Sequence, residues 1–128
     1  MMKRVTGFGG VFFKSKNPKE LKLWYDKHLG IEFGDYGKEF YWRDFENPEK
    51  TGYTVWSPFS ESTKYLEPSS KEYMINFRVE NLDELLTLLK SEGIELCGEK
   101  EESEFGKFAW IIDPDGTKIE LWEPPKTV

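Results

Sequence analysis

An internal repeat constrains this 128-residue chain more than any other feature of its sequence. A β-rich run at residues 8–13 precedes a helix start at 17–20, where Asn, Pro and Glu stand at the positions of a capping box. The same order returns about 64 residues later, with a strand at 74–79 and a second cap from Asn to Glu at 81–84. Two copies are too few for a stacked repeat array, so the repeat predicts two similar modules that pair their sheets.

Strand patterns after each helix complete the two modules. Residues 40–45 and 108–112 are β-rich, and each run is followed by a turn and a closing strand, YTVWSP in the first copy and KIELWEP in the second. The sequence therefore predicts an α+β fold in a single domain (1–128): two βαβββ modules forming a curved, partly closed β-barrel cleft, with the helices outside. The predicted boundaries are about 5–58 for the first module, 59–71 for a polar linker and about 72–124 for the second module.

Composition and charge narrow the class of function. Aromatic residues make up 16% of the chain, with five Trp and ten Phe, which exceeds the need of a core this size and leaves some for a ligand cavity. The formal net charge of −6, with Lys and Arg scattered, argues against a nucleic-acid partner. No apolar run approaches the roughly 18 residues of a membrane span, and a single Cys97 fits a reducing compartment. We therefore expect a soluble, cytoplasmic protein without a membrane partner.

The two modules, the helix exit LGIEF and the terminal motif DPDGTKIELWEP resemble the vicinal oxygen chelate superfamily. That superfamily holds glyoxalase I, extradiol dioxygenases and bleomycin-resistance binding proteins, and the resemblance covers residues from about 5 to 124. It implies a homodimer. In metal-dependent members, metal ligands come from the first and last strand of each module. The resemblance places these positions at Gly10, Thr54, Met74 and Glu120.

Only Glu120 among these four residues binds a divalent metal well, since Zn²⁺ and Fe²⁺ sites need at least three good protein ligands. The only histidine, His28, falls on the apolar side of the first helix, away from the cleft. We therefore expect no catalytic metal and no other cofactor.

Strand alternation predicts which side chains line the cleft. Taking Gly10 and Glu120 as inward-facing, the expected lining comprises Phe12, Trp56, Met74 and Trp122, with Asn76 and Glu120 as its polar groups and Lys14 and Arg78 nearer the rim. Trp42 and Trp110 occupy matching places in the third strands, whose facing the sequence leaves open by one residue.

Two kinds of function fit this cleft. The first is a small-molecule-binding protein of the glyoxalase and bleomycin-resistance type, with an aromatic-lined cleft and no catalytic metal. The alternative is an enzyme resembling a lyase, isomerase or dioxygenase, in which Glu120 is the catalytic acid/base or part of an atypical metal site. A packed core around the same aromatic residues, with Glu120 held only by hydrogen bonds, is also compatible with the sequence.

Overall fold

The computed structural model describes residues 3–126 and has an α+β architecture with one seven-stranded mixed sheet. The elements in chain order are β1 (Val5–Ser15), α1 (Pro18–Leu29), β2 (Lys38–Arg43), β3 (Thr51–Ser60), β4 (Tyr73–Val79), α2 (Leu82–Ser91), β5 (Glu101–Ser103), β6 (Gly106–Ile112) and β7 (Lys118–Glu123). The strand order across the sheet is β2-β3-β1-β4-β7-β6-β5. Strands β2 and β5 are free edges, so the sheet is not closed into a barrel.

Both helices begin at the predicted caps. The side chain of Asn17 accepts a hydrogen bond from the backbone N–H of Glu20 at 3.1 Å, and Asn81 accepts one from Glu84 at the same distance. Each cap satisfies a backbone donor that has no partner inside its helix. Helix α1 ends at Gly30, whose φ of 67° lies in the left-handed region that favours glycine.

The two modules lie side by side in the sheet because β1 pairs with β4 in antiparallel orientation. Within each module the first strand pairs in parallel with the last, β1 with β3 and β4 with β7. The first module differs in one respect from the predicted βαβββ order. After α1 there are two strands instead of three, and only an isolated bridge between Gly34 and Gly37 precedes β2.

The helices cover one face of the sheet. Leu82 and Leu85 of α2 are buried against Val79, Ile119 and Leu121 of the sheet. Helix α1 packs more loosely, since none of its residues is buried. Its contact with the sheet is aromatic, with the ring centroids of Tyr25 and Trp56 4.4 Å apart. The opposite face of the sheet is left free to line a cleft.

The segment predicted as a linker contributes to the core. Strand β3 continues through Ser60, beyond the predicted module boundary, and Leu66 is only 1% exposed. Leu66 packs with Met74 and Trp110 in a second apolar cluster on the cleft side. The polar composition of residues 59–71 concealed this, because a single buried leucine carries no periodic signal. No helix among the described residues is long and apolar enough to cross a bilayer.

Candidate ligand-binding site

A cavity of about 290 Å³ opens on the sheet face opposite the helices. Strands β1, β2, β3, β4, β6 and β7 contribute to its lining, and the loop after α1 and the turn between β5 and β6 lie at its mouth. Six aromatic side chains line it: Phe12, Tyr36, Tyr53, Phe105, Phe108 and Trp122. The cavity is therefore mostly apolar, with a few polar groups on its floor and rim.

Glu120 of β7 lies on the cavity floor and is 3% exposed. Its Oε1 accepts a hydrogen bond from Asn76 Nδ2 at 2.6 Å. Its Oε2 accepts two, from the Tyr65 hydroxyl at 2.5 Å and from Trp110 Nε1 at 2.9 Å. A carboxylate has about four acceptor positions, so these three donors leave one free on Oε1. The carboxylate is fixed in orientation and still has one position for a ligand.

The three donors reach Glu120 from different parts of the fold. Asn76 is its register partner across β4 and β7, and Trp110 is its partner across β6 and β7. Tyr65 comes from the segment between the modules. Tyr65 and Trp110 do not line the cavity, so they hold the carboxylate from behind.

Tyr65 remains a hydrogen-bond donor to Glu120 over a wide pH range. Burial raises the pKa of the Tyr65 phenol far above its usual value, and the Glu120 carboxylate raises this pKa further. Both effects oppose the phenolate, because it would be poorly hydrated and would lie beside a second negative charge.

Asn76 leaves one acceptor without a partner at the site. The side chain is 2% exposed, and its Oδ1 is the buried side-chain oxygen or nitrogen that finds no hydrogen-bond partner among residues 3–126. Oδ1 lies over Gly9, where a Cβ would overlap it, and both residues line the cavity. Flipping the amide would place this oxygen against Glu120 Oε1, so the bond to Glu120 fixes the orientation. This orientation leaves a buried acceptor unpaired, which costs free energy.

The charged residues that line the cavity are acidic. Asp35 and Glu39 lie near its mouth and Glu120 on its floor, while the lining residues within 3–126 include no Lys, Arg or His. Glu120 takes part in no ion pair in the described part of the chain. Lys118 is directed elsewhere, with its Nζ donating to the Tyr65 carbonyl at 2.5 Å. A buried carboxylate without a cationic partner is unusual, since buried charges are normally paired.

The cavity walls bring together four of the residues predicted from the sequence: Phe12, Asn76, Glu120 and Trp122. Trp110 contacts the site through its hydrogen bond to Glu120 but is buried behind it. Met74 lies on the predicted face of β4, yet it is fully buried beneath Leu66 and lines no part of the cavity.

The predicted facing of β3 is wrong. Trp56 packs on the helix side, with its ring 5.2 Å from that of Phe13 and 4.4 Å from that of Tyr25. Thr54 also points away from the cavity, donating to the carbonyl of Phe8 at 2.7 Å. Tyr53 and Val55 line the cavity instead. A shift of one residue exchanges the two faces of a strand, and the Trp-x-Pro pattern shared by YTVWSP and KIELWEP suggested the wrong alignment.

The first strand is also irregular at the position assigned to Gly10. The pairing of β1 with β4 shifts between Phe8 and Gly10, and a Cβ on Gly10 would meet the backbone carbonyl of Val55. Gly9 therefore lies at the cavity wall beside Asn76. Such bulges redirect a strand locally, and two adjacent glycines in a strand are the available sequence signal.

Arg78 and Trp42 form a separate cluster, and Arg78 does not lie at the rim as predicted. Arg78 is 6% exposed, and its guanidinium lies 4.8 Å from the Trp122 ring centroid and 5.2 Å from that of Trp42. Burial lowers the pKa of this guanidinium, while contact with ring faces offsets part of the cost of burying the charge. Arg78 thus packs over the Trp122 ring. Trp42 does not line the cavity.

The mouth of the cavity joins the two modules. Tyr36 follows α1 and Phe105 lies in the turn between β5 and β6, and their ring centroids are 5.4 Å apart. Tyr36 is 75% exposed, so the contact lies at the surface. The charged run at residues 99–104 contains the exposed edge strand β5, which carries Phe105 to this position. Neither mouth residue was predicted, because each lies in a loop whose partner is distant in sequence.

No family model and no curated protein matches the sequence, whereas solved structures match the fold. Methylmalonyl-CoA epimerase from Mycobacterium tuberculosis is 23% identical, with a TM-score of 0.61 over 99% of this chain and 93% of that one. A methylmalonyl-CoA epimerase in complex with methylmalonyl-CoA and NH4+ is 14% identical, with a TM-score of 0.67 over 95% of this chain and 96% of that one. A catechol 2,3-dioxygenase is 22% identical, with a TM-score of 0.57 over 96% of this chain but 43% of that one.

The epimerase and dioxygenase structures belong to the vicinal oxygen chelate superfamily. The chain therefore has the vicinal oxygen chelate fold, and the resemblance seen in the sequence is confirmed at the level of the fold.

The residues around Glu120 do not suit the metal that this fold carries in some members. Residues 3–126 contain no cluster of three or more His, Cys, Asp and Glu side chains arranged to hold an ion. The neighbouring positions are Gly9, Val55 and Asn76, and the Asn76 amide directs an N–H toward Glu120. Two further donors occupy Oε2. A carboxylate surrounded by hydrogen-bond donors is arranged to accept hydrogen bonds and has little left with which to coordinate a metal ion.

Proposed function

We propose that the protein binds a small aromatic molecule reversibly in the cavity, with Glu120 and Asn76 as its polar anchors and without a catalytic metal. The observation that carries the proposal is the fixed Glu120 carboxylate on the floor of an aromatic-lined cavity. Ligand sites are typically concave and mostly apolar, with a few oriented polar groups. A cavity of about 290 Å³ is at the low end of the roughly 300–1,000 Å³ found for such sites, so the ligand is small.

The alternative of acid/base catalysis by Glu120 has less support. A general base needs a free acceptor directed at the proton that it removes. Three of the hydrogen-bonding positions of Glu120 are already occupied by protein donors. The arrangement is better suited to receiving one hydrogen bond from a ligand than to exchanging protons with it.

Intrinsic tryptophan fluorescence tests the proposal, because Trp122 lines the cavity and Trp110 bonds to Glu120. Titration with neutral, anionic and cationic benzene derivatives should give saturable changes for at least one compound. Trp122→Ala should weaken that binding. Trp24→Ala is the matched control, since Trp24 is half exposed on α1. Absence of saturable binding by every probe would contradict the proposal.

The proposal extends to a homodimer in the cytoplasm. Large apolar side chains are exposed on α1, on the edge strand β2 and just after β2, including Leu23 at 63%, Tyr41 at 73% and Phe45 at 87%. Such exposure is typical of surfaces that are covered by a partner. Light scattering coupled to size-exclusion chromatography should give twice the chain mass, and a monomer mass at all concentrations would contradict this part.

A further inference from the structure

The floor of the cavity holds a carboxylate that forms no ion pair with the described residues and keeps one acceptor position open to a ligand. Glu120 lacks a cationic partner among the described residues and keeps one acceptor position on Oε1. Asn76 Oδ1, on the adjacent strand, has no partner in the described part of the chain. The Asn76 Oδ1 atom is packed against Gly9 and has almost no free surface, so Glu120 Oε1 is the acceptor that a ligand can reach.

The walls and the mouth favour the same kind of ligand. The rings of Phe108 and Trp122 are nearly parallel, with 5° between their planes and 6.1 Å between their centroids. Aromatic ring faces attract cations as well as flat apolar groups. Asp35 and Glu39 add negative charge at the mouth, which raises the local concentration of cations and repels anions.

We propose, resting on the function proposed above, that the ligand is a flat organic cation carrying an N–H donor, of the amidinium, guanidinium or amino-heteroaromatic type. The N–H donates to Glu120 Oε1, and the cationic charge neutralises Glu120. The apolar body of the ligand packs against Phe12, Phe108 and Trp122. Charge-assisted hydrogen bonds of this kind are about twice as strong as neutral ones.

Four probes of similar size test the effect of a positive charge on the ligand separately from the effect of its N–H donors. Benzamidine is cationic with several N–H donors, benzamide is its neutral counterpart, benzoate is an anion with acceptors only, and phenyltrimethylammonium is a cation without N–H groups. Isothermal titration with the unmodified protein should show benzamidine binding at least about tenfold more tightly than benzamide, as expected for charge-assisted hydrogen bonds. Phenyltrimethylammonium should bind more weakly than benzamidine, and benzoate should not bind.

Variants assign the preference to Glu120. Glu120→Gln should reduce the affinity for benzamidine to that for benzamide, and Asn76→Ala should reduce it several-fold, because it removes the donor that orients Glu120 Oε1. The control Glu95→Gln changes an exposed carboxylate outside the cavity and should leave the affinity unchanged. Circular dichroism establishes whether each variant is folded. If a variant is not folded, the ranking of the four probes on the unmodified protein tests the proposal.

The outcomes separate this inference from the proposed function. Equal affinities for benzamidine and benzamide, or tighter binding of benzoate, would overturn the cation preference while leaving an aromatic-binding site. Binding by none of the four probes would overturn both.

Discussion

At the scale of single residues, the missing side chain of Gly9 allows Asn76 to take its place beside Glu120. The Asn76 Oδ1 atom occupies the space that a Cβ on Gly9 would need. The close approach of β1 and β4 at this point therefore requires glycine for steric reasons.

Gly9→Ala should destabilise the protein by about 1–3 kcal/mol, the usual cost of inserting an atom into a packed site. Asn76 would have to move, so affinity for the ligand should also fall. Urea denaturation measures the first effect. Gly34→Ala is the control, because a Cβ there meets no atom closer than 3.7 Å. Equal stabilities of the two variants would contradict the placement of Asn76.

The raised pKa of Tyr65 gives stability a dependence on alkaline pH. The unfolded chain releases this proton near pH 10, whereas the folded protein holds it to higher pH, so the folded state binds more protons above about pH 10. The stabilising contribution is complete below that pH and is lost as the pH rises. In Tyr65→Phe, the fall in unfolding free energy between pH 9 and 11 should be smaller than in the unmodified protein.

The comparison needs a tyrosine variant outside the site. Tyr41→Phe changes a side chain that is 73% exposed and should reproduce the pH dependence of the unmodified protein. Parallel curves for Tyr65→Phe and the unmodified protein would show that Tyr65 is not buried against Glu120.

At the scale of elements, the facing of β3 decides which tryptophan belongs to the site. Trp56 fills the space between the sheet and α1, where it contacts Phe13, Tyr25 and Phe33. Trp122 lies on the cavity wall. The two tryptophans occupy matching positions in the repeat but serve opposite faces of the sheet.

Trp56→Ala should therefore cost about 3 kcal/mol of stability, the lower end of the range for truncating core aromatic residues, and leave ligand affinity unchanged. Trp122→Ala should lower the affinity markedly. Denaturation and titration of both variants provide the measurements. A loss of affinity in Trp56→Ala as large as that in Trp122→Ala would place β3 in the opposite register.

A charged contact joins α2 to the strands that carry the cavity mouth. Asp83 accepts hydrogen bonds from Lys100 at 2.6 Å and Lys107 at 2.8 Å. These two bonds lower the pKa of Asp83 to about 2. The stabilisation is complete above the unfolded pKa of about 4 and is lost as the pH falls toward 2.

Asp83→Asn should reduce stability near neutral pH by no more than about 1 kcal/mol, because both ion pairs are exposed. The difference from the unmodified protein should vanish as the pH approaches 2. Urea denaturation between pH 2 and 7 checks this, with Asp26→Asn on α1 as the control. A difference that stays constant with pH would contradict the assignment to these ion pairs.

Some of these elements can be predicted from the sequence and others cannot. Asn17 and Asn81 mark the helix starts because capping is local chemistry, and Asn76 and Glu120 are found on one face because β4 and β7 alternate cleanly. Strand β3 carries apolar residues on both faces, Val55 on one and Trp56 on the other, so its pattern could not select a face. Tyr65 could not be predicted, since it lies in a polar segment and meets Glu120 only through tertiary folding.

At the scale of the whole molecule, the internal repeat predicts the architecture but not its asymmetry. The first module has a loosely packed helix and one strand fewer than expected, while the second holds a compact core under α2. The cavity lies across the junction of the modules, and Tyr36 and Phe105 meet over its mouth. The site therefore depends on both modules, although Glu120 and Asn76 belong to the second.

A crystal structure of the purified protein soaked with benzamidine would show whether Glu120 anchors a cationic ligand in the cavity. We expect the Glu120 carboxylate to accept hydrogen bonds from Asn76, Tyr65 and Trp110, with the amidinium on Glu120 Oε1 and the benzene ring beside Trp122. A Glu120 side chain directed away from the cavity, or a metal ion held there by three protein ligands, would contradict it.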